Sequence, residues 1–380
     1  VNFNLTEEQQ MLQDSAARFV GQDYSFERRQ RDVQNDVGFD PELWRQFADL
    51  GWLSVPFAEE NGGFGGDATD LFVLMEQLGK GLVATPYLPS ILLFGRCLEA
   101  GANPALKAEL LERLIAGELQ GALAYMERQS RHELFDVQTN AHRDGDEFVI
   151  SGEKALVMNA QAANMFVVSV RTSGSATDKN GVSLLLVDAK APGIELNSIQ
   201  LMDGQKVANV TFRDVRVSTD RLIGLENQGA VVLEEVVNQA IPAICAEALG
   251  LMTHLTNTTI EYSKTRKQFG VAIGSFQVLQ HRMVDMFTAC EETRSLLYRV
   301  LCSAGEDDLL EHKKNLHALK VITGLRGKRV GNESIQLHGG MGITDELDVG
   351  HYVKRLMVLH SVFGDADYHQ QQLARLSLPQ

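Results

Sequence analysis

Glu147–Met158 reads EFVISGEKALVM, and with 164–172 (NMFVVSVRT), 182–189 (VSLLLVDA) and 209–217 (NVTFRDVRV) it decides the fold class. Each stretch is short and rich in Val, Phe and Ile. DGD, GSATDKNG and APG punctuate the region, so the pattern predicts strands joined by tight turns. The block begins near Gly121 and, at roughly a hundred residues, has the size of one small antiparallel β domain.

Outward from this block, the texture is helical on both sides. Thr6 followed by Glu7–Gln9, with apolar Met11, Leu12 and Phe19, predicts a capped amphipathic helix. Pro41–Leu50 places proline in a first helical turn, and Asp70–Leu78 and Asn103–Ile115 repeat the apolar spacing. After Gly229 the helical period returns through 231–264, 276–302, 309–337 and 351–363. Long apolar helices need partners on several faces, which predicts a four-helix bundle. The reading is α+β, mainly α, with an N-terminal helical domain (1–118), a middle antiparallel β domain (119–226) and a C-terminal four-helix bundle (227–380).

Composition narrows the function. The chain has 380 residues, enough to bury a core without disulfides or metal. The net charge of -15 repels nucleic acid, and no basic patch offsets it. Cys97, Cys245, Cys290 and Cys302 make no C-x-x-C, so neither a disulfide framework nor a metal site is expected. No apolar run reads as a membrane span, and the first residues have neither the basic start nor the apolar core of a signal peptide. The expectation is a cytoplasmic protein with no membrane or nucleic-acid partner.

Three segments carry chemical interest, each with a plain alternative. Glu59–Gly66 is glycine-dense but lacks the strand-turn-helix setting of a dinucleotide fingerprint, which favours a structural loop. Gln336–Gly342 (QLHGGMG) closes a helix with glycines. It reads as a helix cap and turn, or as backbone left bare so that amides approach a bulky ligand. Lys264–Gly270 (KTRKQFG) ends another helix with basic residues. It serves the helix dipole, or Arg266 holds a pyrophosphate while Phe269 packs a cofactor. No hydrolase triad, Walker loop or H-E-x-x-H is present.

Taken in order, these words resemble those of the acyl-CoA dehydrogenase family, from Leu5 to about Arg375. The words are the stretch from Glu59, Gly152-Glu153-Lys154 with Asn159-Ala160, Val210–Val217, Thr265–Gly270, Gly274–Gln277 and Gln336–Gly342. The resemblance implies FAD bound between subunits. Arg266, Gln268, Phe269, Gln277, Gln336, Gly339 and Gly340 would hold the adenine and pyrophosphate end of a neighbouring chain's cofactor. It also implies an acyl-CoA substrate and a flavoprotein electron acceptor. In the family reaction a carboxylate removes the proton α to the thioester while hydride leaves the β carbon for the flavin.

The flavin-facing words depart from the family. Its T-E-P-x-x-G-S-D segment falls on Met126–Glu133, where Glu127 alone is identical, and the aromatic and threonine after Lys154 become Leu156 and Met158. The usual glutamate position falls on Gly364 and the alternative one on Ala240; neither accepts a proton. Asp365 is the nearest carboxylate, a candidate base or a polar turn, with Asp367 behind it. Arg128 and Arg131 read as surface ions or as partners of a distal substrate carboxylate.

Such uneven loss resembles the small subunit of pimeloyl-CoA dehydrogenase and other heteromeric enzymes, including those of steroid side-chain breakdown. Three expectations follow. In one, the chain pairs with a paralogous subunit, as an α2β2 heterotetramer. In the others it is a homo-oligomer using Asp365, or a non-catalytic acyl-CoA-binding subunit.

Overall fold

The computed structural model describes residues 4–304 and 308–378. The chain divides into two compact units, each assembled from segments distant in sequence. One comprises the chain up to Gln30, Ala68–Val83 and the chain from Ile241 onward; the other comprises Arg31–Asp67 and Ala84–Ala240.

The N-terminal helices are α1 (Glu7–Arg18), α2 (Phe26–Gln34), α3 (Pro41–Asp49), α4 (Ala68–Lys80), α5 (Arg96–Gly101) and α6 (Pro104–Ile115). Their starts follow the sequence signals. Thr6 and Gln9 form a reciprocal capping box on α1, Asp40 caps α3 ahead of Pro41, and Asn103 caps α6 ahead of Pro104. Each cap satisfies an amide that the first helical turn cannot. The apolar stretch Tyr87–Gly95 forms a π-helical segment whose residues are all buried. The glycine-dense segment is structural: a Cβ on Gly63 would stand 1.9 Å from the Phe57 carbonyl oxygen.

The sheet contains β1 (Gly121–Ala124), β2 (Asn140–Asp144), β3 (Glu147–Met158), β4 (Met165–Arg171), β5 (Val182–Asp188), β6 (Ile194–Gln200), β7 (Lys206–Ser218) and β8 (Leu222–Ile223). Its order is β6-β7-β3-β2-β4-β5-β8, with β1 beside β4. Most pairs are antiparallel as expected, but β1 runs parallel to β4, and β2 meets β4 in parallel at Asn140 and Arg171. Phe148, Ile150, Phe166, Val168, Leu185, Val210 and Phe212 form part of its core. The pairing of β3 with β7 slips twice, between Ile150 and Gly152 and between Lys154 and Val157. At the second bulge Leu156 takes φ +51° and is turned outward, 42% exposed.

The C-terminal segment supplies α7 (Gly229–Thr265), a short hairpin of β9 (Lys267–Gln268) and β10 (Val271–Ala272), then α8 (Gln277–Ser303), α9 (Leu309–His338), α10 (Val349–Ser361) and α11 (Ala366–Ser377). The expectation that no apolar run reads as a membrane span needs correction, because α7 is long and apolar enough to cross one. Its most apolar stretch is 72% buried inside the protein, as in a core helix.

Two glycines let α4 and α7 meet backbone to backbone. A Cβ on Gly79 would lie 2.1 Å from the Glu247 carbonyl oxygen, and one on Gly250 would lie 2.1 Å from that of Glu76. Charged pairs fix the remaining neighbours. Arg355 on α10 donates to both carboxylate oxygens of Glu247 (2.6 and 3.1 Å), and Arg294 on α8 donates to Glu76 (3.1 Å). Such forked pairing gives direction as well as attraction. Gly250→Ala is expected to destabilise the fold by about 1–3 kcal/mol through overpacking, read from urea unfolding. An unchanged midpoint would mean that the helices separate freely.

Candidate functional site

In the β unit, Glu127 and Lys154 form a buried ion pair. Lys154 Nζ has no exposure and donates to Glu127 Oε1 (2.6 Å) and Ser169 Oγ (3.0 Å). Glu127 also accepts the amides of Gln138 (2.8 Å) and Thr139 (3.0 Å) and the side chain of Gln129 (2.8 Å). Burial alone would raise the Glu127 pKa, but the Lys154 ammonium and these hydrogen bonds outweigh it and bring it to about 2. Burial pushes Lys154 down to about 8 against the pull of Glu127. The one identity kept from the acidic word is thus committed to holding Lys154.

Around this pair the backbone of the word survives while its side chains differ. Ala155 N–H donates to the Met126 carbonyl (2.8 Å), joining the word to β3. Arg131 adopts φ +49°, a left-handed conformation at the place of the family's glycine. Ser130 is buried and turned inward, its Oγ taking the Glu127 amide (3.0 Å) and donating to the Glu127 carbonyl (2.9 Å). Arg128 pairs with Glu153 (3.3 Å), both exposed, as a surface ion does.

The helical unit carries the residues expected to grip a nucleotide. α7 ends at Thr265, and the hairpin that follows turns on Phe269 (φ +53°) and Gly270 (φ +84°). Positive φ at both turn residues gives a tight two-residue connection. Phe269 stands at its tip, 93% exposed, with its ring edge-on to Phe276 at 6.3 Å. Arg266, Gln268, Gln277 and Gln336 are exposed, and Arg266 has no ion-pair partner among the described residues. Lys264 takes the adjacent Glu261 (2.6 Å), so that acid is engaged elsewhere.

α9 ends at His338, and Gly339 caps it with φ +60° and ψ −138°, donating its amide to the Gln336 carbonyl. A Cβ on Gly339 or Gly340 would meet nothing within 4 Å, so the space where a side chain would stand is open at both. The Tyr262 and His338 rings lie 4.4 Å apart, linking the end of α7 to the end of α9. A bare peptide edge and an uncompensated guanidinium fit a diphosphate, because both supply donors to anionic oxygens.

The segment matched to the catalytic glutamate has a different character. Phe363 sits at φ +60° and Gly364 at φ +110°. A Cβ on Gly364 would lie 2.5 Å from Tyr368 Cδ1 and 2.9 Å from His369 Nε2. The loop is tied from several sides. His369 donates Nε2–H to the Phe363 carbonyl (3.0 Å), its Nδ1 lies 2.8 Å from His317 Nδ1, and Lys320 donates to the Leu359 and His360 carbonyls (2.9 and 3.0 Å). Burial draws the Lys320 pKa down to about 8, with Cys245 and Asp365 opposing. Asp365 Oδ1 accepts the Tyr368 amide (2.9 Å) as the N-cap of α11. Asp367 is exposed, and Ala240 is buried and carries no proton acceptor.

Sequence comparison decides the family. Residues 6–118, 122–215 and 227–378 match the acyl-CoA dehydrogenase N-terminal, middle and C-terminal domains. The chain belongs to the acyl-CoA dehydrogenase family. It is 27% identical to a probable acyl-CoA dehydrogenase, YngJ, of Bacillus subtilis (strain 168), over 99% of both chains. Among solved structures it resembles PigA with FAD and proline (TM-score 0.91, 26% identity, 99% of this chain and 98% of that one). It also resembles a variant of the Tcur3481-Tcur3483 steroid ACAD (TM-score 0.87, 26% identity, 97% of each). Acyl-CoA dehydrogenases are oxidoreductases acting on CH–CH bonds.

Several site residues escaped the sequence reading. Tyr262, Lys320, His317 and His369 belong to no motif, and only the helix register that places Tyr262 one turn before Arg266 hinted at one of them.

Glu127→Gln is expected to cost about 3–5 kcal/mol in urea unfolding, because it leaves a buried ammonium without its carboxylate. The Glu127 pKa is lowered on folding from 4.5 to about 2, so its contribution is present above pH 4.5 and lost as pH falls toward 2. The variant should therefore show a flatter acid limb; an unaltered limb would refute the assignment. Gly364→Ala is expected to lose about 1–3 kcal/mol, since alanine is strained at that φ. A variant as stable as the parent would show that the loop accepts a side chain.

Proposed function

We propose that this chain is one subunit of a heteromeric FAD-dependent acyl-CoA dehydrogenase, α2β2 in arrangement. Its paralogous partner supplies the base and the flavin-facing groups. This chain contributes Arg266, Gln268, Phe269, Gln277, Gln336, Gly339 and Gly340 to the nucleotide end of the partner's cofactor. A single contrast supports the reading. The nucleotide-gripping residues are exposed and complete, whereas Gly364 stands where the base belongs, in a conformation that refuses a side chain.

When bound, FAD supplies the hydride acceptor for α,β-desaturation of an acyl-CoA thioester, and a flavoprotein takes the electrons onward. Arg266 offers charge-assisted hydrogen bonds to the anionic oxygens of the diphosphate. The side-chain-free Gly339 and Gly340 let the diphosphate approach the backbone closely without a side chain intervening. Phe269 gives the cofactor or the adjoining subunit an apolar surface; covering such a ring contributes about 1.5–3 kcal/mol. Asp365, as the cap of α11, is directed to the helix amides and away from proton abstraction.

The test is co-expression with the paralogous dehydrogenase subunit, followed by flavin counting and assays of flavin reduction by an acyl-CoA. One FAD for each pair of unlike chains, with Arg266→Ala weakening FAD binding roughly 10- to 100-fold, is expected from the loss of a charged hydrogen bond. A homo-oligomer of this chain alone that carries one FAD per protomer and is bleached by an acyl-CoA would overturn the proposal.

A further inference from the structure

Arg266 and the Gly339–Gly340 edge lie on different elements, yet they grip one diphosphate only if both face it together. We infer that Tyr262 is the positioning residue that sets this register, acting through His338; the inference rests on the nucleotide-gripping role proposed above.

Tyr262 touches both halves. On its own side, its carbonyl accepts the Arg266 amide (2.8 Å) and the Thr265 hydroxyl (3.1 Å), which fixes the last turn of α7 directly beneath Arg266. On the other side, its ring lies against the His338 ring at 4.4 Å and 32°, and its hydroxyl donates to the His338 carbonyl at 3.4 Å. That carbonyl belongs to the peptide that enters Gly339. The hydroxyl contact is long, so the ring contact carries most of the coupling.

His338 is a rigid anvil for this contact. It is 3% exposed, and its Nδ1 faces the Ser334 carbonyl at 2.8 Å. A carbonyl only accepts, so Nδ1 carries the hydrogen and the ring orientation is set. Nε2 is buried without a hydrogen-bond partner among the described residues, so among them no second bond holds the ring elsewhere. The following turn closes on the same residue, because a Cβ on Gly342 would lie 3.0 Å from His338 Cβ. Movement of the Tyr262 ring therefore shifts the peptide before Gly339 and the turn carrying Arg266 at once. A displacement of an ångström is enough to misalign short charged hydrogen bonds.

His338 is buried and Tyr262 half-buried against it, so the role assigned to them is alignment. The experiment measures FAD affinity of the assembled two-subunit enzyme by flavin fluorescence, over a range of salt concentrations, with a thermal melt of each variant. Tyr262→Phe keeps the ring and should bind FAD within about twofold of the parent. Tyr262→Leu should lose about 5- to 10-fold and show a flatter salt dependence, as Arg266→Ala does, since Arg266 no longer meets the diphosphate. His338→Ala should lose a similar factor, and the double variant should be no worse than either single one, because both remove the same contact.

Additive losses in that cycle would overturn the inference, as would a Tyr262→Leu enzyme that binds FAD with the parent's affinity and salt slope. If Tyr262→Phe falls as far as Tyr262→Leu, the ring contact is not the coupling element and the inference also fails. If Arg266→Ala itself binds FAD normally, the nucleotide-gripping role is what fails.

Discussion

A lysine ammonium without any exposure to water is the constraint on which the β unit is organised. Lys154 is tolerable there only because Glu127, Ser169 and the Tyr125 carbonyl surround it, while Glu127 in turn collects two backbone amides. Half of such an arrangement is worse than none, since either charge alone in that core is costly. The pair therefore ties the segment from Met126 to His132 to β3. It also explains why one glutamate persists in a word whose other side chains have changed. Its role is structural, and its persistence says nothing about catalysis by this chain.

The helical unit shows a second and different division. The parts proposed to face a nucleotide are a guanidinium with no ion pair among the described residues, an outward phenylalanine on a tight hairpin and a glycine pair with open space where side chains would stand. Its loop at Phe363–Asp365 is fastened from several sides. His369 and Lys320 tie down the surrounding carbonyls, Gly364 occupies a backbone region that excludes a glutamate, and Asp365 serves the next helix. A protein keeping its own catalytic centre has no evident use for a loop fastened in this way. The proposed role, lending half a cofactor site to a neighbour, can accept it.

Much of the fold was legible in local chemistry. The caps at Thr6, Asp40 and Asn103, the alternation of the strands and the long apolar helices are properties of residues a few positions apart, which is the range over which periodicity and capping operate. The parallel placement of β1, the bulges in β3 and the burial of α7 were not legible, because they depend on partners distant in sequence. The site divides likewise. Arg266, Gly339 and Gly340 are proposed from their words, whereas Tyr262 and His317 belong to no word and enter only through what stands opposite them.

The sequence by itself determined the family and the helical, β, helical order, because residue identity and spacing are all these require. Only the tertiary structure decided that Glu127 is a counter-ion, that Asp365 is a helix cap and that Gly364 has no room for a side chain. Those are facts about what surrounds each residue. Burial, strain and pairing come from atoms that folding brings together, and no local stretch of sequence contains them.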